Sequence, residues 1–285
     1  VRKIAAISLA VVLVVALLVV AGCSSGGSTS STPNGKTTSS GSSEAQKILT
    51  DSNKKMTSIT SVKASGGIKG NMTSSSATGG NEALSMALTM NLDISDPKSP
   101  KGVMTTKGMG EDMTIYLDNG FAYVNVPGTG WTKTPIGSSG LTSATPSEIE
   151  KFAEGAQNLR IVSQTGNTYK IAFDVGPKYF EQQLKSQGTT EGLTKEMQDY
   201  VNEIVKNAKM SAVFTINKST LYLEAVNMKI AMNMQSLGSV DMQMALAFSD
   251  YNKPVSVALP PEAANAPTVE NPGATGLPSF PGLGL

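Results

Sequence analysis

The chain has 285 residues, of which 39% are hydrophobic and 16% charged, with 23 Lys and Arg against 22 Asp and Glu. Balanced charge without a dense basic run excludes an electrostatic nucleic-acid binder. The absence of histidine excludes a Ser-His-Asp triad, a histidine general base and the usual zinc sites, and a single cysteine excludes an internal disulfide.

The chain opens with Arg2 and Lys3, then an apolar run from Ile4 to Ala21 broken only by Ser8. This is a charged segment ahead of a hydrophobic one, nearly long enough to span a bilayer, so its end decides the reading. Val20-Ala21-Gly22-Cys23 resembles the lipobox of bacterial lipoprotein precursors. Small side chains there let a signal peptidase grip the backbone, and the Cys23 thiol is the group that accepts diacylglycerol. The resemblance implies a signal peptide over 1–22, lipidation at Cys23, and a membrane-anchored protein on the extracytoplasmic face. A transmembrane anchor with an incidental cysteine is the alternative.

Residues 23–43 are almost entirely Ser, Gly, Thr, Asn and Pro, a composition that cannot bury a core and predicts a flexible tether. Residues 265–285 are rich in Pro and Gly and predict a disordered tail. Between them, residues 44–264 are long enough for one domain with a sizeable core. With Cys23 acylated no thiol nucleophile remains. The acidic residues Glu111-Asp112, Asp93 and Asp96 sit where turns are expected, and solvated turns explain them better than paired catalytic carboxylates. No catalytic set, metal site or cofactor motif is expected, and the chain does not read as an enzyme.

Glu44 to Ile59 reads as a helix, with Ser43 as its N-cap and Ile48, Leu49, Met56 and Ile59 on one stripe. Strand patterns then dominate. From Glu82 to Ser95, Leu84, Met86, Leu88, Met90, Leu92 and Ile94 alternate with small and polar residues, which predicts a long half-buried antiparallel strand. The same period recurs at Met210, Ala212, Phe214 and Ile216, at Val226, Met228, Ile230, Met232 and Met234, and at Val240, Met242, Met244, Leu246 and Phe248. Shorter strands fit 62–72, 102–107, 113–117, 121–126, 159–164 and 169–175. Asp118-Asn119-Gly120 and Gly166-Asn167 supply turns. Helices are expected at Pro146–Phe152, Pro177–Ser186 and Leu193–Ala208. The fold class that follows is α+β: a large antiparallel sheet of about ten strands, apolar on one face, curled into a half-barrel with helices packed in its concave side.

One hairpin runs Tyr116-Leu117-Asp118-Asn119-Gly120-Phe121-Ala122-Tyr123-Val124 and is closed by Gly130-Trp131-Thr132-Lys133. The domain ends on Tyr251-Asn252-Lys253-Pro254-Val255-Ser256-Val257-Ala258-Leu259-Pro260. With a helix after the tether and long alternating strands after the helix, this layout resembles the LolA-like, LppX/LprG-type lipoproteins and related Gram-positive lipoproteins. The resemblance implies a half-barrel closed by helices around a hydrophobic cavity that holds lipid acyl chains, without catalytic residues. The expected cavity lining is Leu84, Met86, Leu88, Met90, Leu92, Phe214, Met228, Ile230, Met232, Met242, Met244 and Leu246.

Fourteen methionines are many for this length. Ordinary core packing explains them, and so does a soft lining whose unbranched thioethers repack around acyl chains. Met232 with Met234 and Met242 with Met244 also pair thioethers of the kind that suit Cu(I), although exported copper binders usually add histidine. Trp131 reads as a hairpin side chain packing over the sheet end beside Tyr116 and Tyr123, or as a gate at a cavity mouth. Two functions follow: a tethered carrier of a lipid or other hydrophobic ligand, or a non-enzymatic envelope sensor or scaffold that binds a protein partner.

Overall fold

The computed structural model describes residues 40–74, 81–96, 99–108, 112–126, 130–136, 156–177, 205–234 and 238–269. The leader, Cys23, the tether and the expected helix Pro146–Phe152 lie outside these residues. So do the expected helix at 177–186, apart from Pro177, and that at 193–208, apart from a helical turn at 205–207 entering the next strand.

Helix α1 spans Ser40–Met56. Ser43 therefore sits inside the first turn and is not its N-cap, because the Ser-rich stretch before it joins the helix. Lys47 and Asp51 pair at 2.7 Å one turn apart, and Lys54 and Lys55 sit in the last turn, where the helix dipole favours cations. The Thr57 and Ser58 hydroxyls donate to the Lys54 and Lys55 carbonyls at 2.9 and 2.8 Å and close the end.

Eleven strands follow: β1 (Ser61–Ser74), β2 (Asn81–Asp93), β3 (Lys101–Gly108), β4 (Met113–Asp118), β5 (Phe121–Val126), β6 (Gly130–Pro135), β7 (Ala156–Ser163), β8 (Thr168–Val175), β9 (Lys209–Asn217), β10 (Leu223–Met234) and β11 (Gly238–Ser249). They form one antiparallel sheet in the order β6-β5-β4-β3-β2-β1-β11-β10-β9-β8-β7. Two meanders are thus joined where the first strand pairs with the last, from Lys63↔Ser249 to Ser74↔Gly238. The fold is α+β, a large curled sheet with α1 packed against its apolar face. Strand β6, beyond the ten that periodicity finds, has no apolar alternation and is held by register with β5.

Asn119 and Gly120 both have positive φ, 50° and 78°, so the β4–β5 hairpin closes in the mirror-image turn that matches strand twist. Strand β1 lies close against both of its neighbours at one point. A side chain at Gly66 would place its Cβ 1.9 Å from the Ala245 carbonyl oxygen, and one at Gly67, on the opposite face, 2.4 Å from that of Met86. Only glycine permits neighbouring backbones to approach so closely.

Where β11 ends, Asn252 ties it to the start of β1. Its Oδ1 accepts the Thr60 N–H at 2.8 Å, its own N–H donates to the Ser61 carbonyl at 3.1 Å, and the Ser61 hydroxyl donates to the Lys253 carbonyl at 2.5 Å. The chain then crosses to the far edge of the sheet through α2 (Pro261–Ala264). Thr268 bridges Lys133 in parallel, with the Lys133 N–H donating to the Pro267 carbonyl at 3.0 Å and the Val269 N–H to the Lys133 carbonyl at 2.9 Å. The chain is therefore held on the domain through Val269, past the boundary at 264 that composition suggests, and it shields the edge strand β6.

Candidate functional site

Cross-strand register puts all twelve expected lining residues on one face. Met86 of β2 aligns with Ile68, Met244 and Met228 across β1, β11 and β10. Leu88 aligns with Gly66, Leu246, Val226 and Phe214. Leu84 aligns with Gly70, Met242 and Ile230. Met232 pairs with Val240, Met90 with Ala64, and Leu92 with Val62 on the same side.

The packing of that face is uneven. Phe214, Met228, Ile230, Met232, Met242 and Met244 are buried in one cluster with Ile48, Leu49 and Met56 of α1, as the helical stripe predicts, with Ala45, and with Ile59, which lies past the helix end. Phe173 meets Phe214 edge-on, with ring centroids 4.9 Å apart. Leu92 is buried in a second cluster with Ile115, Leu117, Ala122 and Ile136. Between the clusters, Leu84, Met86, Leu88, Met90 and Leu246 are only half-buried. Leu84 and Leu246 lean on the first cluster and Met90 on the second, whereas Met86 and Leu88 are packed against neither among the described residues.

Strand β1 runs through this gap and offers Ala64, Gly66, Ile68 and Gly70. Ala64 is buried, yet Gly66 beside it is exposed. Gly66 has no side chain and leaves a gap between Leu88 of β2 and Leu246 of β11, whereas Ile68 fills the next place on this face and the Met242 side chain reaches over Gly70. Sequence periodicity identifies the face but not this gap, because a glycine in an alternating strand carries no hydrophobic signal.

The opposite face carries mostly small and polar residues, with an aromatic group at one end. Tyr116, Phe121, Tyr123 and Trp131 cluster there with Leu259, Ala263 and Ala266 of the C-terminal segment. Tyr116 and Trp131 lie 5.8 Å apart, and the Lys133 ammonium sits 5.4 Å from the Phe121 ring centroid. Trp131 packs over the sheet end, and the aromatic hairpin is the platform on which the chain's own C-terminal segment docks.

The acidic residues behave as turn residues. Asp93 accepts the Ser95 hydroxyl and backbone N–H at 2.6 and 2.9 Å, and these bonds hold its carboxyl below the usual range. Asp112 is exposed, and Glu111 lies outside the described residues. Among the described residues no group of three His, Cys, Asp or Glu could hold a metal, and no helix is long and apolar enough to cross a membrane.

Among solved structures the chain is similar to LprF from Mycobacterium bovis, at 15% identity and a TM-score of 0.44, over 77% of this chain and 98% of that one. It is similar to a LolA superfamily protein from Nitrosomonas europaea at 9% identity and a TM-score of 0.26, over 75% and 94% of the two chains. A DUF1329 family protein from Desulfovibrio piger matches at 7% identity and a TM-score of 0.27, over 76% and 95%. No curated protein matches the sequence. Residues 44–268 match the family of unknown function DUF6612, and the chain belongs to that family.

Proposed function

We propose that this protein is a non-enzymatic lipoprotein, anchored through acyl chains on Cys23 outside the cytoplasmic membrane, that holds a lipid or similar hydrophobic ligand on the apolar face of its sheet. The observation that carries this reading is the half-buried row Leu84-Met86-Leu88-Met90 beside the exposed Gly66. An ordinary core would bury these side chains as fully as Met228 or Met242, which are 5% and 3% exposed. Acyl chains laid along this row would remove that apolar surface from water at about 25 cal/mol per Å². The flexible side chains of Met86 and Met90 would adapt to chains of different length. Two or three acyl chains on Cys23 would anchor the protein stably.

A partner-binding scaffold would be favoured by an open aromatic patch on the outer face. The aromatic patch there is occupied by residues 259–266, which supports the lipid reading instead.

Native mass spectrometry of the chain from residue 24 to 285, purified from a phospholipid-rich host, tests the proposal. Bound lipid that leaves on denaturation is the expected result. A bare mass, with no uptake of added fluorescent fatty acid or phospholipid, would sink it.

A further inference from the structure

The face of the sheet turned away from α1 sorts its charges by row. From β3 to β7, register sets Lys107 in one row with Ala87, Gly67 and Ala245, and at the far end of that row Arg160 pairs with Ala172. In the next row Lys69 of β1 and Lys229 of β10 stand on either side of Gln243. On the other side of the Lys107 row, Lys170 of β8 shares a row with Thr215, Ala225, Ala247 and Ser65, and Lys63 of β1 lies one row further. All six cations are exposed, and none is in an ion pair among the described residues, where the ion pair present is Lys47–Asp51.

Two carboxylates fall within these four rows, both at the margin and both half-buried. Asp174 ends the row of Lys69 and Lys229 and accepts the Asn158 side-chain amide at 2.9 Å. Glu224, at the irregular start of β10, accepts the Asn217 amide at 2.7 Å. The rows on either side are balanced: Lys101 pairs with Asp93, and Lys209 shares its row with Asp241. Six cations against two carboxylates make the field net +4, on a chain whose formal total is +1. Most positions between the cations are Ala, Gly, Ser, Thr or Asn, so the charged groups stand proud of a shallow surface. Eight strands about 4.8 Å apart make the field roughly 34 Å wide.

We infer that this field rests on the anionic headgroups of a membrane. Flexible lysines spread over a broad, shallow surface suit an extended negative plane, to which each adds a weak, salt-screened attraction. A single-stranded nucleic acid would call for a groove and stacking aromatics, and this part of the face offers neither. Resting this way, the domain turns its apolar face away from the bilayer. The inference concerns the face opposite the proposed lipid, and its test does not require lipid uptake.

The test is co-sedimentation of residues 24–285, which retain every described residue, with vesicles of phosphatidylcholine alone or mixed with an equal part of phosphatidylglycerol. At about 0.1 M salt the anionic vesicles are expected to retain the protein about tenfold or more better than the neutral ones. They should release it at about 1 M, where the screening length falls from about 10 Å to about 3 Å. K69Q/K229Q should weaken retention several-fold, and K69R/K229R should keep it. K54Q/K55Q removes the same charge from α1, on the other side of the sheet, and should leave retention within about twofold. Melting profiles should not change, because all four lysines are exposed. Equal retention on both kinds of vesicle, no response to salt, or equal loss in the two glutamine variants would overturn the inference. Capture by soluble polyglycerol phosphate without retention on vesicles would reassign the field to an anionic polymer and overturn it too.

Discussion

Met86 and Met228 lie in the same row of the same sheet face, yet among the described residues only Met228 is packed in a buried cluster. The identical substitution, Met→Gln, therefore distinguishes core from cavity wall. At position 228 the side chain is 5% exposed, and its cross-strand neighbours Met244 and Ala212 offer an amide no hydrogen-bond partner. Losing the buried thioether forfeits part of the ~1.5–3 kcal/mol that a buried methionine contributes. Stranding an amide there costs a further ~1–3 kcal/mol. M228Q should thus destabilise by about 3 kcal/mol or more. M86Q forfeits only partial burial and keeps its amide within reach of water, so a cost of about 1 kcal/mol or less is expected. With a urea slope of roughly 2 kcal/mol per M, the two midpoints should differ by about 1 M. In a lipid-uptake assay the order should invert, with the folded M86Q protein losing affinity. Equal destabilisation by both substitutions would show that the β2 row is ordinary core and refute the reasoning.

Three further perturbations follow from the packing. Gly66→Val places side-chain atoms against the Ala245 backbone and should lower stability by about 2–4 kcal/mol in a denaturant titration, whereas Gly130→Ala, at φ 84° with open space around it, should cost about 1 kcal/mol. Removing residues 261–285 uncovers the hairpin aromatics, so fluorescence of Trp131, the single tryptophan, should shift to the red and the melting temperature should fall. An unshifted spectrum would mean that the segment does not cover the patch. Burial pushes the Tyr251 phenol, whose hydroxyl donates to the Leu223 carbonyl, above its ordinary value of 10. Its contribution is complete below pH 10 and is lost above it, where the unfolded chain releases the proton first. Tyr251→Phe should therefore flatten the fall in stability between pH 10 and 11 and cost about 1 kcal/mol at neutral pH.

Local pattern was enough for much of this protein. The alternation from Leu84 to Leu92 and from Val240 to Phe248 specifies long one-sided strands and names the apolar face residue by residue, because side chains in a strand repeat every two positions. Asn119-Gly120 specifies a hairpin because those residues tolerate positive φ. The helical stripe Ile48, Leu49 and Met56 names the side of α1 that enters the core.

Other features arise only when distant segments meet. Pairing of β1 with β11 joins residues nearly two hundred positions apart, and no local period encodes it. Strand β6 is extended because β5 offers it hydrogen bonds, although Thr132, Lys133 and Thr134 alternate nothing apolar. The aromatic hairpin acquires its cover from residues 259–266, and Gly66 becomes a gap in the apolar face only once Leu88 and Leu246 stand on either side of it. The division between buried Met228 and half-buried Met86 is likewise tertiary, since the sequence assigns both to one face and, among the described residues, Met228 packs in the cluster with α1 while Met86 does not.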